Sequence, residues 1–218
     1  MTFQSGTATK PRSKPSVRLI IVFAATLILV AAMALDTKVV KIGSPADVQP
    51  NAFSPAEFGA SEFPIVQAAV EKRAVEAGTL ADAFAKDKDA AIKQYGVPAS
   101  IGPEVSVKFT GVVGKADSGV YYVTVEGLPT TLRLRVQTGP AINGTDLRDA
   151  TGTITFGQFV NQIDYQNAGS ALNKEMKKQV LSKIDTTQLT GKTISVVGVF
   201  KLVNPNSWLV TPVKLDVQ

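Results

Sequence analysis

The chain has 218 residues, 44% of them hydrophobic and 19% charged, with 23 Lys and Arg against 18 Asp and Glu. It contains no histidine and no cysteine, which removes disulfides, thiol catalysis, cysteine metal sites, the commonest general base and any Ser-His-Asp triad built from this chain alone. The net charge of +5 is concentrated at one end: Lys10, Arg12, Lys14 and Arg18 have no acidic neighbour before Asp36, and taking those four from the 23 leaves 19 basic against 18 acidic residues. A body so close to neutral lacks the basic footprint of a nucleic-acid binder.

The basic tail, residues 1–18, leads into LIIVFAATLILVAAMAL at 19–35, a run of 17 uncharged and mostly apolar residues. A spanning helix needs roughly 17–25 such residues. Positive charge on its N-terminal side holds that end in the cytoplasm and sends the rest of the chain across the membrane. Two readings stay open: an uncleaved anchor in the inner membrane, or a signal peptide cut after Ala34, since Ala32-Met33-Ala34 has the small-residue form of a cleavage site. Both place the body in the periplasm.

Residues 36–62 are rich in Pro, Gly, Ala and Ser and read as a linker. A helical unit is expected over 63–98. Val66, Ala69 and Val70 begin its first helix, Gly78 ends it, and Thr79 caps a second helix with Leu80, Phe84 and Ile92 on its apolar side. From 99 to 218 the pattern changes. The period falls to two in EVSVKFTGVV, GVYYVTVEG and LRLRV, with Val105, Val107, Phe109, Tyr121, Val123, Leu134 and Val136 facing inward. A helix beginning near Val160 follows, with Ala168, Leu172, Met176, Val180 and Ile184 as its apolar stripe. Two more strands close the chain. In the last, Leu209, Thr211, Val213, Leu215 and Val217 are expected on one face, and Pro212 marks an edge or bulge. The fold class is therefore α+β: a membrane segment and a helical pair, then three strands, a helix and two strands, the order of a five-stranded OB-fold barrel.

Between the third strand and the helix lies GPAINGTDLRDATGTITFGQFVNQIDY, residues 139–165. With ALN at 171–173, GK at 191–192 and TPVKLDV at 211–217, this segment resembles an uncharacterised bacterial family of predicted periplasmic lipoproteins, often encoded beside sugar ABC-transporter genes. The resemblance runs from about Thr37 to the C-terminus. It implies an extracytoplasmic accessory role, with sugar-transporter components as partners, and transfers no catalytic residue. The chain departs from the family in one respect: a lipoprotein carries its lipid on a cysteine, and there is none, so attachment falls to residues 19–35.

Two places could bind a small polar solute. The first is the 139–165 segment, where Arg148, Asp149, Asn161, Gln162 and Tyr165 offer guanidinium, carboxylate, amide and phenol groups. The same groups suit a bracing network in which Arg148 ties the segment to Asp146, Asp149 or Asp164. Phe156 and Phe159 are expected in the core. The second is the outward strand face carrying Tyr122, Thr124, Arg133 and Arg135, where OB-folds take oligosaccharides and oligonucleotides. Catalysis without His or Cys needs Ser-Lys, paired carboxylates or an oxygen-bound ion, and no such set stands out. No cofactor and no metal site is expected. The reading is a non-catalytic accessory or solute-binding protein; a structural envelope protein and a His-free hydrolase are the alternatives.

Overall fold

In a computed structural model, residues 17–37 and 53–218 are described. The basic tail up to residue 16 and residues 38–52 of the expected linker lie outside them. The chain divides into two units between Ala52 and Phe53. In the first, helix α1 spans Val17–Asp36, 20 residues with a mean hydropathy of 2.6 in its apolar window and no buried side chain. At about 1.5 Å per residue it is long enough to cross a hydrocarbon core of about 30 Å.

The second unit begins with helices. Helix α2 (Pro55–Arg73) starts eight residues before the expected helical boundary, inside the stretch read as linker. Pro55 explains the early start, because its fixed φ and missing N–H suit the first helical turn. The helix ends at Arg73, not at Gly78. A short parallel pairing of β1 (Val75–Glu76) with the barrel takes over the backbone there. Gly78 lies inside α3 (Ala77–Lys86), so Thr79 is no cap. The second expected helix breaks at Asp87, whose carboxylate accepts from Ala90 N and caps α4 (Lys88–Tyr95). Strand β2 (Gly96–Val97) then pairs with the start of the barrel.

The barrel has five strands: β3 (Glu104–Asp117), β4 (Val120–Thr124), β5 (Arg133–Gln137), β6 (Thr193–Lys201) and β7 (Ser207–Val217). They are hydrogen-bonded in the order β3-β4-β5-β7-β6, and β6 pairs back onto β3, closing the ring. Only the β5–β7 pair of this ring is parallel. This is the OB-fold, and helix α6 (Gln162–Gln179) stands between the third and fourth barrel strands as expected. The period-two residues Val105, Val107, Phe109, Tyr121, Val123, Leu134 and Val136 are all buried.

The last strand departs from the expected pattern. Trp208 and Val210 are buried, and then Val213 and Leu215, so Leu209 and Thr211 do not share a face with Val213. The ladder slips by one residue where Gly198 pairs with Pro212. Pro212 has no N–H to give the ladder, and a bulge changes which side the following residues face. A Cβ at Gly198 would lie 2.5 Å from Thr211 O, so the bend requires glycine.

Helix α6 buries Ala168, Leu172 and Met176 as its stripe predicts, with Val180 just beyond its end. It begins at Gln162, two residues after Val160, because Asn161 is the cap: its Oδ1 accepts from Asp164 N at 2.9 Å. Helix α2 lies against it so closely that a Cβ on Gly59 would sit 2.8 Å from Ala171 O. Two glycines in helices therefore have opposite expectations. Gly59→Ala forces the backbones apart and should destabilise the fold by about 1–3 kcal/mol, outweighing the gain in helix propensity. Gly78→Ala meets nothing within 4 Å and should stabilise by up to about 1 kcal/mol. Urea denaturation of the two variants checks both signs.

Candidate functional site

The 139–165 segment leaves β5, forms a short helix α5 (Asp146–Asp149) and reaches α6. Arg148 is buried and satisfied within this segment. Its Nε donates to Asp149 Oδ1 at 2.8 Å, Nη2 to Asp149 Oδ2 at 3.2 Å and Nη1 to Tyr165 O at 3.2 Å. The guanidinium carbon lies 3.6 Å from the centre of the Tyr165 ring. Thr145 Oγ1 donates to the same Asp149 carboxylate at 2.7 Å. Asn173 on α6 holds the segment from the other side, its buried amide donating to the carbonyls of Ile142 and Gly144. Arg148, Asp149 and Tyr165 thus meet in one knot, and of the three expected acidic partners Arg148 takes Asp149.

Asn161 and Gln162 do not join them. Asn161 is exposed and spends its side chain on Asp164, and Gln162 is exposed on the first turn of α6. Phe159 packs against the core beside Phe58 and Tyr165, but Phe156 is half exposed, edge-on to Tyr165. The core expectation fails for Phe156 because it sits on a 3-10 turn (Phe156–Gln158) at the surface.

Beneath the segment is a cluster that strand periodicity did not disclose. Glu104 and Lys201 are cross-strand partners at one end of the β3–β6 ladder. Glu104 is fully buried. The Lys201 ammonium lies 3.0 Å from its Oε1, 3.7 Å from Asp146 Oδ1 and 3.9 Å from Asp149 Oδ2. The ammonium is off line for a hydrogen bond to Glu104, and neither oxygen of that carboxyl has a hydrogen-bond partner among the described residues. Burial first, and then the nearby Asp146 charge, push the Glu104 pKa up to about 8 against the pull of Lys201. Burial also raises Asp146, which accepts from Thr211 Oγ1 at 3.0 Å. Thr211 in turn accepts from Gln137 Nε2 at 2.9 Å. Asp146 and Asp149 are therefore taken up by cations and hydroxyls of the chain itself. The sequence signal for this cluster was an acidic residue opening an apolar strand and a lysine closing another.

The outward strand face carries the other candidates. Tyr122, Arg135 and Leu209 are opposite one another across β4, β5 and β7. Tyr122 is half-buried, with Lys115 Nζ 5.7 Å from its ring centre. Arg133 is exposed. Arg135 is half-buried, and its Nη2 donates to Ser207 Oγ at 3.0 Å. Its Nε is buried without a partner, and no carboxylate pairs with it among the described residues. Arg135, Gln137, Asn143, Asp146, Lys201 and Ser207 line an open cleft of about 360 Å³, walled on its apolar side by Val203 and Leu209. Of the expected binding candidates only Arg135 lines this cleft; the 139–165 segment reaches it through Asn143 and Asp146, and not through Arg148, Asp149, Asn161, Gln162 or Tyr165. A larger cleft of about 540 Å³ runs along Gln67, Lys183 and β7. Gln67 there donates to Val213 O, and among the described residues no buried side-chain N or O atom of this cleft is left unpaired.

The comparisons with known proteins agree with this architecture. A family described as predicted periplasmic lipoproteins, DUF2291, matches residues 23–216. The chain belongs to this family. An OB-fold protein from Thermotoga maritima of known crystal structure superposes with a TM-score of 0.61 at 17% identity, covering 77% of this chain and all of that one. At that identity the likeness is one of fold. None of the curated proteins matches the chain. For this DUF2291 protein the family description fits a periplasmic body behind an apolar N-terminal helix.

Two outcomes follow from the charge geometry. Arg148→Ala leaves the Asp149 carboxylate without its bidentate partner in a largely buried site, and should cost about 3–5 kcal/mol in urea denaturation, with Arg148→Lys in between. Glu104 is raised from 4.5 to about 8 in the fold, so between those values the folded state holds a proton that the unfolded state has lost. Stability should therefore fall as pH rises from about 4.5 to about 8, and Glu104→Gln should flatten the fall. Denaturation midpoints measured across that range decide it.

Proposed function

We propose that this protein is a non-catalytic module at the outer face of the inner membrane that binds a small polar solute in the Arg135 cleft, in support of sugar uptake by an ABC transporter. The observation that carries the reading is the half-buried Arg135, which lines a cleft of about 360 Å³ and has no carboxylate partner among the described residues. That volume falls within the roughly 300–1,000 Å³ of small-molecule sites. Position supports it too, since the outward face of β4 and β5 is where OB-folds bind oligosaccharides. Helix α1, long enough to span, serves in this reading as an uncleaved tether, with the basic residues before it on the cytoplasmic side. In support of the non-catalytic reading, the Ser207 hydroxyl accepts from Arg135 Nη2, and Asp146 and Lys201 in the same cleft are already engaged by Thr211, Glu104 and each other.

The closed knot of Arg148, Asp149 and Tyr165 favours a second reading, an envelope protein in which the segment only braces the barrel. The two separate in one experiment. The full chain in detergent micelles is screened by thermal shift against monosaccharides, polyols and sugar acids. Solute binding predicts a midpoint that rises with ligand concentration, and that Val203→Trp, which fills the cleft from its exposed rim, abolishes the rise. A flat response across the panel favours the bracing protein.

A further inference from the structure

The cleft presents an excess of hydrogen-bond donors, and its cations differ in how far they are already committed. Lys201 is held by three carboxyl groups. Arg135 has no acidic partner among the described residues and uses one of its five N–H groups on Ser207. Asn204 accepts from Asn206 N through its Oδ1, which leaves its amide N–H groups to donate. Asn143, exposed on the opposite wall, has no side-chain partner among the described residues. On the acceptor side, Asp146 is occupied by Thr211 and Lys201, while Gln137 donates an amide N–H to Thr211 and keeps its Oε1 as an acceptor.

A half-buried guanidinium without a counter-ion is costly, and a planar carboxylate matches its fork with two parallel hydrogen bonds. Amide donors on either side suit hydroxyl oxygens. Leu209, directly opposite Arg135 in the β5–β7 pair, offers an apolar surface for a short carbon skeleton. Resting on the reading that the cleft binds a solute, we infer that the ligand is a small carboxylate-bearing polyol, of the sugar-acid class, with its carboxylate on Arg135 and its hydroxyls toward Asn143 and Asn204.

Matched pairs test this. The full chain in detergent micelles is titrated calorimetrically at one ionic strength with lactate and propane-1,2-diol, gluconate and glucitol, galacturonate and galactose. In at least one pair the acid should bind ten-fold or more tightly than its neutral partner. Arg135→Gln should bring that pair to parity. Asn143→Asp, which places a negative charge on the exposed wall where the ligand's hydroxyls lie, should weaken the acid several-fold more than it weakens the neutral partner and leave the melting temperature of the free protein unchanged. If neutral partners bind as well as the acids, or Arg135→Gln leaves the ratio intact, the carboxylate assignment is overturned and the cleft reading stands. If no member of any pair binds, and none of the panel shifts the midpoint, both are overturned together.

Discussion

A carboxyl group buried at the first residue of the longest strand sets the terms for this end of the barrel. Glu104 is fully buried, and the one cation near it, Lys201, is shared with Asp146 and Asp149. Counting Arg148, three carboxyls meet two cations. If all were ionised the cluster would hold an uncompensated negative charge in a site with little water, which is expensive. Keeping the proton on Glu104 makes the cluster neutral, and the direction of its pKa is the one that balance requires. Ion pairs of this kind add little net stability compared with apolar packing. Their effect here is positional. They hold α5 at one place on the barrel, because Lys201 reaches all three carboxyls only there.

That placement shapes the cleft. Asp146 is fixed between Lys201 and Thr211, and Thr211 is fixed by Gln137, so a chain of hydrogen bonds runs from the segment across β7 to β5. The bulge at Pro212 matters for the same reason. Before it, Leu209 and Thr211 lie on the cleft side while Trp208 and Val210 fill the barrel; after it, Val213 and Leu215 fill the barrel instead. A regular strand would have had to choose between packing Val213 and presenting Thr211. On the other side, Asn173 holds the segment to α6, and Gly59 lets α2 approach α6 closely enough to cover it.

Elements with a strong period were legible in the sequence. The inward valines of β3 and β4 and the stripe on α6 follow from spacing alone, and the order of those elements was enough to name the barrel. What sequence spacing could not reach depended on long-range partners. Pro55 opens α2 inside a stretch whose Pro, Ala and Ser content reads as linker, because composition does not tell a first-turn proline from a loop proline. Gly78 ends no helix, since the preceding chain is captured by a strand 32 residues further on, at Val107. Glu104 fits the polar half of an alternating strand, and only the 139–165 segment folding over that face turns it into a buried acid. Within the candidate site, Arg148, Asp149 and Tyr165 were legible as a group because they lie close in sequence. Glu104, Lys201 and Gln137 come from three separate strands and carry no local mark.

Arg148 and Arg135 then separate bracing from binding. Both side chains are largely removed from solvent, and both were candidates on chemistry alone. Arg148 closes on itself: a carboxylate takes its fork, a carbonyl takes a third N–H and an aromatic ring covers its face. Each of its three nitrogens already has an acceptor, and removing it damages the protein first. Arg135 is the opposite case. Tyr122 and Leu209 lie opposite it on the flanking strands, Ser207 accepts one of its N–H groups, and its Nε is buried without an acceptor among the described residues. A protein that needed only a brace would gain by replacing such a group with an apolar one of similar size, because an unpaired buried donor costs about 1–3 kcal/mol and a charged one more. A cation whose one side-chain partner among the described residues is a hydroxyl, close to an Arg148 whose three nitrogens all have acceptors, is therefore better explained by an acceptor that meets its Nη groups from outside than by the needs of the fold.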